Sequence, residues 1–106
     1  VDYGATWGTF RRLTYNAGAS ENPSIAVDGS NVFLVWQDNT VGNFELYFMR
    51  SVDYGATWGT FRRLTYNAGS SADPCIAVME QYIYVVWQDN TFGTEEVLFV
   101  RGIIAV

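Results

Sequence analysis

The chain has 106 residues, 49% of them apolar and 17% aromatic, and it carries a formal net charge of −5. This is the composition of a globular chain rather than a disordered one, and its length allows a single domain with a modest core. The acidic balance excludes nucleic acid as a partner, because little would neutralise phosphates, and the lack of an apolar run of about 18 residues argues against a membrane span.

An unbroken segment occurs twice, at 1–18 and again at 52–69. Aligning each residue with the one 51 positions later gives 33 identities in 51 pairs, so the chain is two copies of one unit. Units of this length are supersecondary structures that bury an apolar face by stacking on copies of themselves. The chain is therefore divided into repeat one, 1–51, repeat two, 52–102, and an apolar tail, 103–106.

Four short strands are predicted for each unit. In chain order they run over 7–14, 24–27, 32–37 and 45–50, and in repeat two over 58–65, 75–78, 83–88 and 96–101. The uninterrupted run V-F-L-V-W-Q at 32–37 is typical of a strand covered on both faces. Arg and Thr mixed with Trp, Phe and Leu favour an outer, half-solvated strand at 7–14 and 58–65.

Turn signals separate these strands. Asp28-Gly29-Ser30-Asn31 predicts a tight hairpin, 38–43 a longer turn, and Asn16-Ala17-Gly18 with Pro23 the crossover between units. No helical periodicity is present. Four short antiparallel strands, repeated, predict an all-β chain whose units are blades of a β-propeller, two per chain.

The residues from Ser51 to Trp58 read S-V-D-Y-G-A-T-W. This resembles the Asp box, S-x-D-x-G-x-T-W, of the bacterial-neuraminidase-repeat propellers of the sialidase-like superfamily. The matching positions are Ser51, Asp53, Gly55, Thr57 and Trp58 in this copy and Asp2, Gly4, Thr6 and Trp7 in the first.

A folding role is expected for these motif residues. Asp53 can accept backbone N–H bonds, Gly55 can adopt a positive φ, and Trp58 can anchor the hairpin against the neighbouring sheet. The resemblance implies that this hairpin joins the third and fourth strands, on the rim opposite the usual active-site face. Asp2 and Asp53 are therefore expected to be structural rather than catalytic.

The sequence argues against sialidase activity. Sialidases of this fold share an arginine triad, an R-I-P segment, a Tyr/Glu nucleophile pair and an Asp acid/base, but this chain has no R-I-P. Tyr15 with Glu21, or Tyr47 with Glu45, are imaginable nucleophile pairs that crossover and packing roles explain equally well. All six cations are arginines, without lysine or histidine. We expect no catalytic residue, cofactor or metal site, and a glycoside hydrolase remnant is a remote alternative.

Glycan binding is the nearer alternative. The resemblance implies that the crossover between units and the loop between second and third strands lie on one face, around a central channel. Amides and carboxylates near Trp36, Trp87 and Tyr15 are groups that bind sugars, although capping of turns explains them too. The candidate ligand residues are Asn16, Asp38, Asn39, Asn67, Asp89 and Asn90, and the same loops carry Glu21, Asn22, Asn43, Asp73 and Glu95.

Assembly is the expected function. The strand 7–14 is an outer strand without three inner ones, whereas 75–101 supplies three inner strands without an outer one. If the N-terminal strand of one chain completes the last blade of the next, a head-to-tail ring forms. Three chains give about six blades and four give about eight, within the range of natural propellers. The sequence favours a homotrimeric, non-catalytic, self-assembling module.

Three smaller expectations concern origin, Cys75 and the tail. Identity in one stretch beside divergence elsewhere favours an engineered or excised fragment, and the sequence indicates no cellular location. Cys75 aligns with Ser24, which favours a small buried core residue over a reactive thiol. The apolar tail is expected either to extend the third strand or to pack in the ring.

Overall fold

The computed structural model describes residues 6–9 and 11–104. Within these ranges the strands are β1 Ser20–Asp28, β2 Asn31–Asp38, β3 Glu45–Ser51, β4 Arg62–Arg63, β5 Ser71–Met79, β6 Tyr82–Asp89 and β7 Glu96–Ile103. They form two antiparallel sheets, a first sheet ordered β1-β2-β3-β4 and a second ordered β5-β6-β7. The described part of the chain contains no helix, and hence no helix that could cross a membrane. The all-β prediction is confirmed.

Turn chemistry sets the hairpins where the sequence predicts them. Asp28 pairs with Asn31 across a two-residue turn, and Gly29 within it has a φ of 59°. In the second sheet the corresponding pair is Met79 with Tyr82, and Glu80 has a φ of 54°. Positive φ at the first turn position is typical of the tight turns that match the twist of paired strands.

Both innermost strands begin earlier than predicted, because a bulge lets pairing continue past the proline. The register of β1 shifts between Glu21 and Ser24, and Asn22 within the bulge has a φ of 52°. The register of β5 shifts in the same place of the second copy, where Asp73 has a φ of 53°. Asn and Asp tolerate this left-handed backbone better than most residues.

The prediction of a strand over 7–14 is wrong for the residues described there, which have no strand assignment. A strand requires a partner edge, and β4 already occupies the outer edge of β3. The segment lies instead against the first sheet, with Leu13 packed on the cluster that contains Trp36. The counterpart prediction, 58–65, is correct only at Arg62–Arg63.

Each sheet has two faces that carry different side chains. The A face of the first sheet presents Phe33, Val35, Leu46 and Phe48, and the B face presents Leu34, Trp36, Tyr47 and Met49. The A face of the first sheet packs against the corresponding B face of the second sheet, which contributes Ile76, Ile83, Val85 and Trp87 to a shared core. Strand β5 contacts β1, β2 and β3.

Two other expectations have clear outcomes. Cys75 is exposed rather than buried, because nothing among the described residues covers that part of the second sheet. The tail does extend the third strand: β7 continues to Ile103, and the Ile104 amide donates to the Gln81 carbonyl at 2.7 Å.

Candidate functional site

The two carboxylates at the ends of β2 and β6 each organise a polar cluster. Asp38 accepts hydrogen bonds from Asn16 Nδ2 at 2.6 Å and Ser20 Oγ at 2.6 Å. Asp89 repeats this with Asn67 Nδ2 at 2.7 Å and Ser71 Oγ at 2.6 Å. The indole Nε1 of Trp87 adds a further bond to Asp89 at 3.0 Å. Each cluster ties the crossover segment to the second strand of the sheet that follows it.

The hydrogen bonds keep both carboxyls ionised. Burial alone would raise the pKa of Asp38, but bonds from Ser20, Thr40 and Asn16 outweigh it and leave that pKa lowered. Burial likewise opposes ionisation of Asp89, whose pKa is nevertheless well below its usual range because Ser71, Thr91 and Trp87 donate to it. Both groups act as fixed acceptors for their own chain.

The remaining predicted ligand residues also bond to their own backbone. Asn39 Oδ1 accepts from the Ala19 amide at 2.7 Å, and Asn90 Oδ1 accepts from the Ser70 amide at 2.8 Å. A Cβ on Gly69 would lie 2.6 Å from the Thr91 backbone nitrogen, so glycine is needed where the crossover touches this loop. The structure thus gathers Asn16, Asp38 and Asn39 at one sheet and Asn67, Asp89 and Asn90 at the other.

Polar bonds between the sheets use the other loop residues. Gln37 Oε1 accepts from the Asp73 amide at 2.7 Å, and Asn22 Nδ2 donates to Asp73 Oδ1 at 2.6 Å. Asn43 Nδ2 donates to the Gly69 carbonyl at 2.5 Å. Glu95 is exposed. Asn22 and Asn43 therefore join the two repeats, whereas the amides of the predicted ligand set bond within their own repeats.

The turn from Ser51 to Trp58 connects β3 to the segment that contains β4. Asp53 accepts from the Thr57 amide at 2.8 Å, from its hydroxyl at 2.5 Å and from Ser51 Oγ at 2.7 Å. Gly55 has a φ of 89°. Trp58 packs on the cluster of Trp36, Tyr47 and Met49. It therefore anchors the turn to its own sheet, and the expected contact with the neighbouring sheet is wrong.

The first copy of this turn is described in part. Asp2 and Gly4 lie outside the described residues, whereas Thr6 and Trp7 are described and exposed.

Replacing Asp53 by asparagine is expected to lower the melting temperature by a few degrees at neutral pH and to flatten its decline in acid. Hydrogen bonds from Thr57 and Ser51 lower the pKa of Asp53 from 3.8 to about 2. The ionised group thus stabilises the fold above pH 3.8, and this contribution is lost as the pH falls through about 2. Circular dichroism melts between these limits test it, with Asp28→Asn as the control of equal charge. Parallel wild-type and D53N curves would contradict the assignment.

The two imagined nucleophile pairs are engaged in packing and in local bonds. The Tyr47 ring stacks on Trp36 at 6.0 Å between centroids, and burial raises its pKa above 10.0, which disfavours a phenolate nucleophile. The Tyr15 ring lies under the Arg12 guanidinium at 4.4 Å. Glu21 is exposed, and Gln37 Nε2 donates to it at 3.4 Å.

Sequence reasoning missed the role of Glu45, which lies at the junction of both sheets with no exposed surface. Its carboxylate accepts from Thr65 Oγ1 at 2.5 Å and lies 3.5 Å from the Arg63 guanidinium. Ser71 of the second sheet donates to it at 3.4 Å. A signal was present, since Glu, Arg and Thr recur at the same positions of both units.

The same positions differ sharply in exposure between the two sheets. Leu46 on the A face of the first sheet is 0% exposed, whereas its counterpart Val97 on the second sheet is 80% exposed. Ile25 on the B face of the first sheet is 60% exposed, whereas its counterpart Ile76 is 6% exposed. The A face that the intrachain contact buries therefore has an exposed duplicate on the second sheet. On the B face of the first sheet, Ile25 and Val27 are exposed, whereas Leu13 and Trp58 pack on the cluster around Trp36.

The second sheet also has an unpaired edge. In the first sheet β4 pairs with β3, and the Leu64 amide beyond it donates to the Leu46 carbonyl at 2.7 Å. Among the described strands, β7 pairs with β6 alone. An open edge beside exposed apolar side chains is a surface on which another chain can add a strand.

Comparisons with protein-family models, with curated proteins and with solved structures found no match for this chain.

Proposed function

We propose that this chain is a non-catalytic, self-assembling β-propeller module in which each sheet is a blade. The observation that carries the proposal is the exposed duplicate of the buried A face on the second sheet, together with the exposed Ile25 and Val27 on the B face of the first sheet. Such head-to-tail contacts build closed rings when the rotation between copies allows it. Three chains would give about six blades, the favoured number, and four about eight.

The exposed A face of the second sheet and the exposed residues on the B face of the first sheet fit each other, because the same two faces already pack together within the chain. The exposed A face of the second sheet carries Val86, Val97 and Phe99, matching Val35, Leu46 and Phe48 of the buried one. The exposed B face of the first sheet carries Ile25 and Val27, matching Ile76 and Val78. Stacking a second copy repeats an apolar contact that the fold already makes.

Assembly is favoured over glycan binding and over catalysis by the hydrogen bonds of the polar loops. Asp38 and Asp89, the centres of the candidate sugar sites, each accept four hydrogen bonds from their own repeat. A sugar hydroxyl would have to displace those partners. Against the remote hydrolase alternative, Tyr47 of one imagined nucleophile pair is buried against Trp36, and the ring of Tyr15 of the other lies under the Arg12 guanidinium.

Mass in solution tests the proposal. Light scattering is expected to give an integer multiple of the 11.9 kDa chain, with three chains favoured. A stable species of 11.9 kDa at high protein concentration would overturn it. A glycan array at the same concentration provides the separate test of sugar binding, and a fluorogenic sialoside assay that of hydrolysis.

A further inference from the structure

We infer that Glu96 of one copy is the acceptor for Arg12 and Thr14 of the next copy, and that this contact sets the register between chains. The inference rests on the self-assembly proposed above and names the side chains that make the junction specific.

The template for the contact is the bonding of Glu45 within the chain. Glu45 is fully buried, accepts from Thr65 Oγ1 at 2.5 Å and lies 3.5 Å from the Arg63 guanidinium. The Thr65 hydroxyl also accepts from the Leu46 amide at 2.8 Å, which fixes the outer segment along β3. Glu96 is the counterpart of Glu45 one repeat later, and Arg12 and Thr14 are the counterparts of Arg63 and Thr65 one repeat earlier.

The acceptor half is already in the template geometry. Glu96 pairs with Asp89 across the second sheet as Glu45 pairs with Asp38 across the first. Its carboxylate accepts from Thr94 Oγ1 at 3.0 Å, where that of Glu45 accepts from Asn43 Nδ2 at 3.1 Å. The difference lies in exposure, because Glu96 is exposed.

The donor half is in the template geometry as well. Arg12 Nε donates to the Thr14 carbonyl at 2.8 Å, as Arg63 Nε donates to the Thr65 carbonyl at 2.7 Å. The Arg12 guanidinium lies 4.4 Å from the centre of the Tyr15 ring, matching a distance of 4.1 Å for Arg63 and Tyr66. The donor segment therefore needs little rearrangement before it binds, which removes part of the cost of association.

The position of the donor segment agrees with this role. In the first repeat Leu13 packs on the cluster around Trp36 of the B face. In the second repeat Leu64 packs on the shared core that contains Trp87, while β4 beside it pairs with β3. Residues 7–14 and 58–65 thus each pack one side against a B face. The other side of 58–65 pairs with β3 through β4, and the matching side of 7–14 is the one that would meet β7 of another copy.

The contact would act on specificity more than on strength. Burial of apolar side chains on the A face is non-directional and does not by itself fix the offset between two copies. A carboxylate and a guanidinium buried without each other are strongly disfavoured. Only the register that brings Glu96 to Arg12 satisfies both charges.

Charge reversal tests the inference, with sedimentation of the full chain as the readout. Glu96→Arg and Arg12→Glu are each expected to weaken assembly by at least about 30-fold, from the cost of an unpaired buried charge. The double variant, which reverses the pair at every junction, is expected to restore it. Glu95→Arg and Arg11→Glu make the same charge changes at neighbouring positions and should assemble as the wild type does.

The outcomes separate the two proposals. Wild-type rings that persist in both single variants would overturn the Glu96 contact and leave self-assembly standing. A wild-type chain that sediments as a single copy would overturn self-assembly. In that case the contact is tested with a labelled peptide of residues 6–18 added to the full chain. The contact is supported if the wild-type peptide binds the wild-type chain, the Arg12→Glu peptide does not, and the Arg12→Glu peptide binds the Glu96→Arg chain. A peptide that does not bind overturns it.

Discussion

The Phe33→Ala variant is expected to lose about 3–5 kcal/mol of unfolding free energy, because it truncates a fully buried aromatic side chain. Phe33 is 0% exposed and stacks on Phe48 with ring centroids 6.1 Å apart. It lies on the A face of the first sheet, in the core that the second sheet shares. Truncation removes an aromatic contact and leaves a cavity between the sheets, which the strands on both sides are too constrained to fill.

Urea unfolding followed by tryptophan fluorescence measures this loss. The control is Phe92→Ala, since Phe92 is 73% exposed in a loop of the second repeat, and its truncation is expected to change stability by less than about 0.5 kcal/mol. Equal midpoints for the two variants would show that the sheets do not share a core.

Replacing Asp89 by alanine is expected to lower the free energy of unfolding by about 2–4 kcal/mol, because buried donors lose their acceptor. Ser71 Oγ, Asn67 Nδ2 and Trp87 Nε1 all donate to this carboxylate. Asp89 itself has no exposed surface. Without it, the described residues leave Asn67 Nδ2 only Ser71 Oγ at 3.1 Å and leave Ser71 Oγ only Glu45 at 3.4 Å.

Thermal unfolding of three variants separates this effect from the loss of a charge. Asp38→Ala breaks the matching cluster of the first repeat and is expected to cost a similar amount. Asp28→Ala removes a carboxylate from the exposed end of β1 and is expected to change stability little. If Asp89→Ala unfolded at the same temperature as Asp28→Ala, the cluster would contribute nothing to folding.

The elements that the sequence predicts correctly depend on local chemistry. The β1–β2 hairpin follows from the turn at Gly29, which has a positive φ, and β2 follows from an unbroken apolar run. The bonds of Asp53 lie within four residues of it, so motif and turn geometry are visible together. Structures of this kind can be predicted from the sequence because they form between residues that are close together in the chain.

The features that sequence reasoning missed depend on contacts between distant residues. Glu45 acquires its role from Thr65, 20 positions away, and from Ser71, 26 positions away. The segment 7–14 is not a strand in the structure, although its composition suits one, because strand formation requires an available edge. Cys75 is exposed for a similar reason: burial depends on what covers the sheet and not on the residue type alone.

The unchanged duplication of the first 18 residues has a kinetic consequence for refolding. Residues 58–65, which include β4, and residues 7–14 carry identical side chains, so the edge of β3 cannot distinguish its own outer segment from that of another chain. Exchange of these segments between chains conserves every local bond, and dense solutions would trap chains that are joined one repeat out of place. Dilute refolding followed by concentration would allow β4 to pair with β3 of its own chain first, which leaves the edge of β7 for the partner copy proposed above.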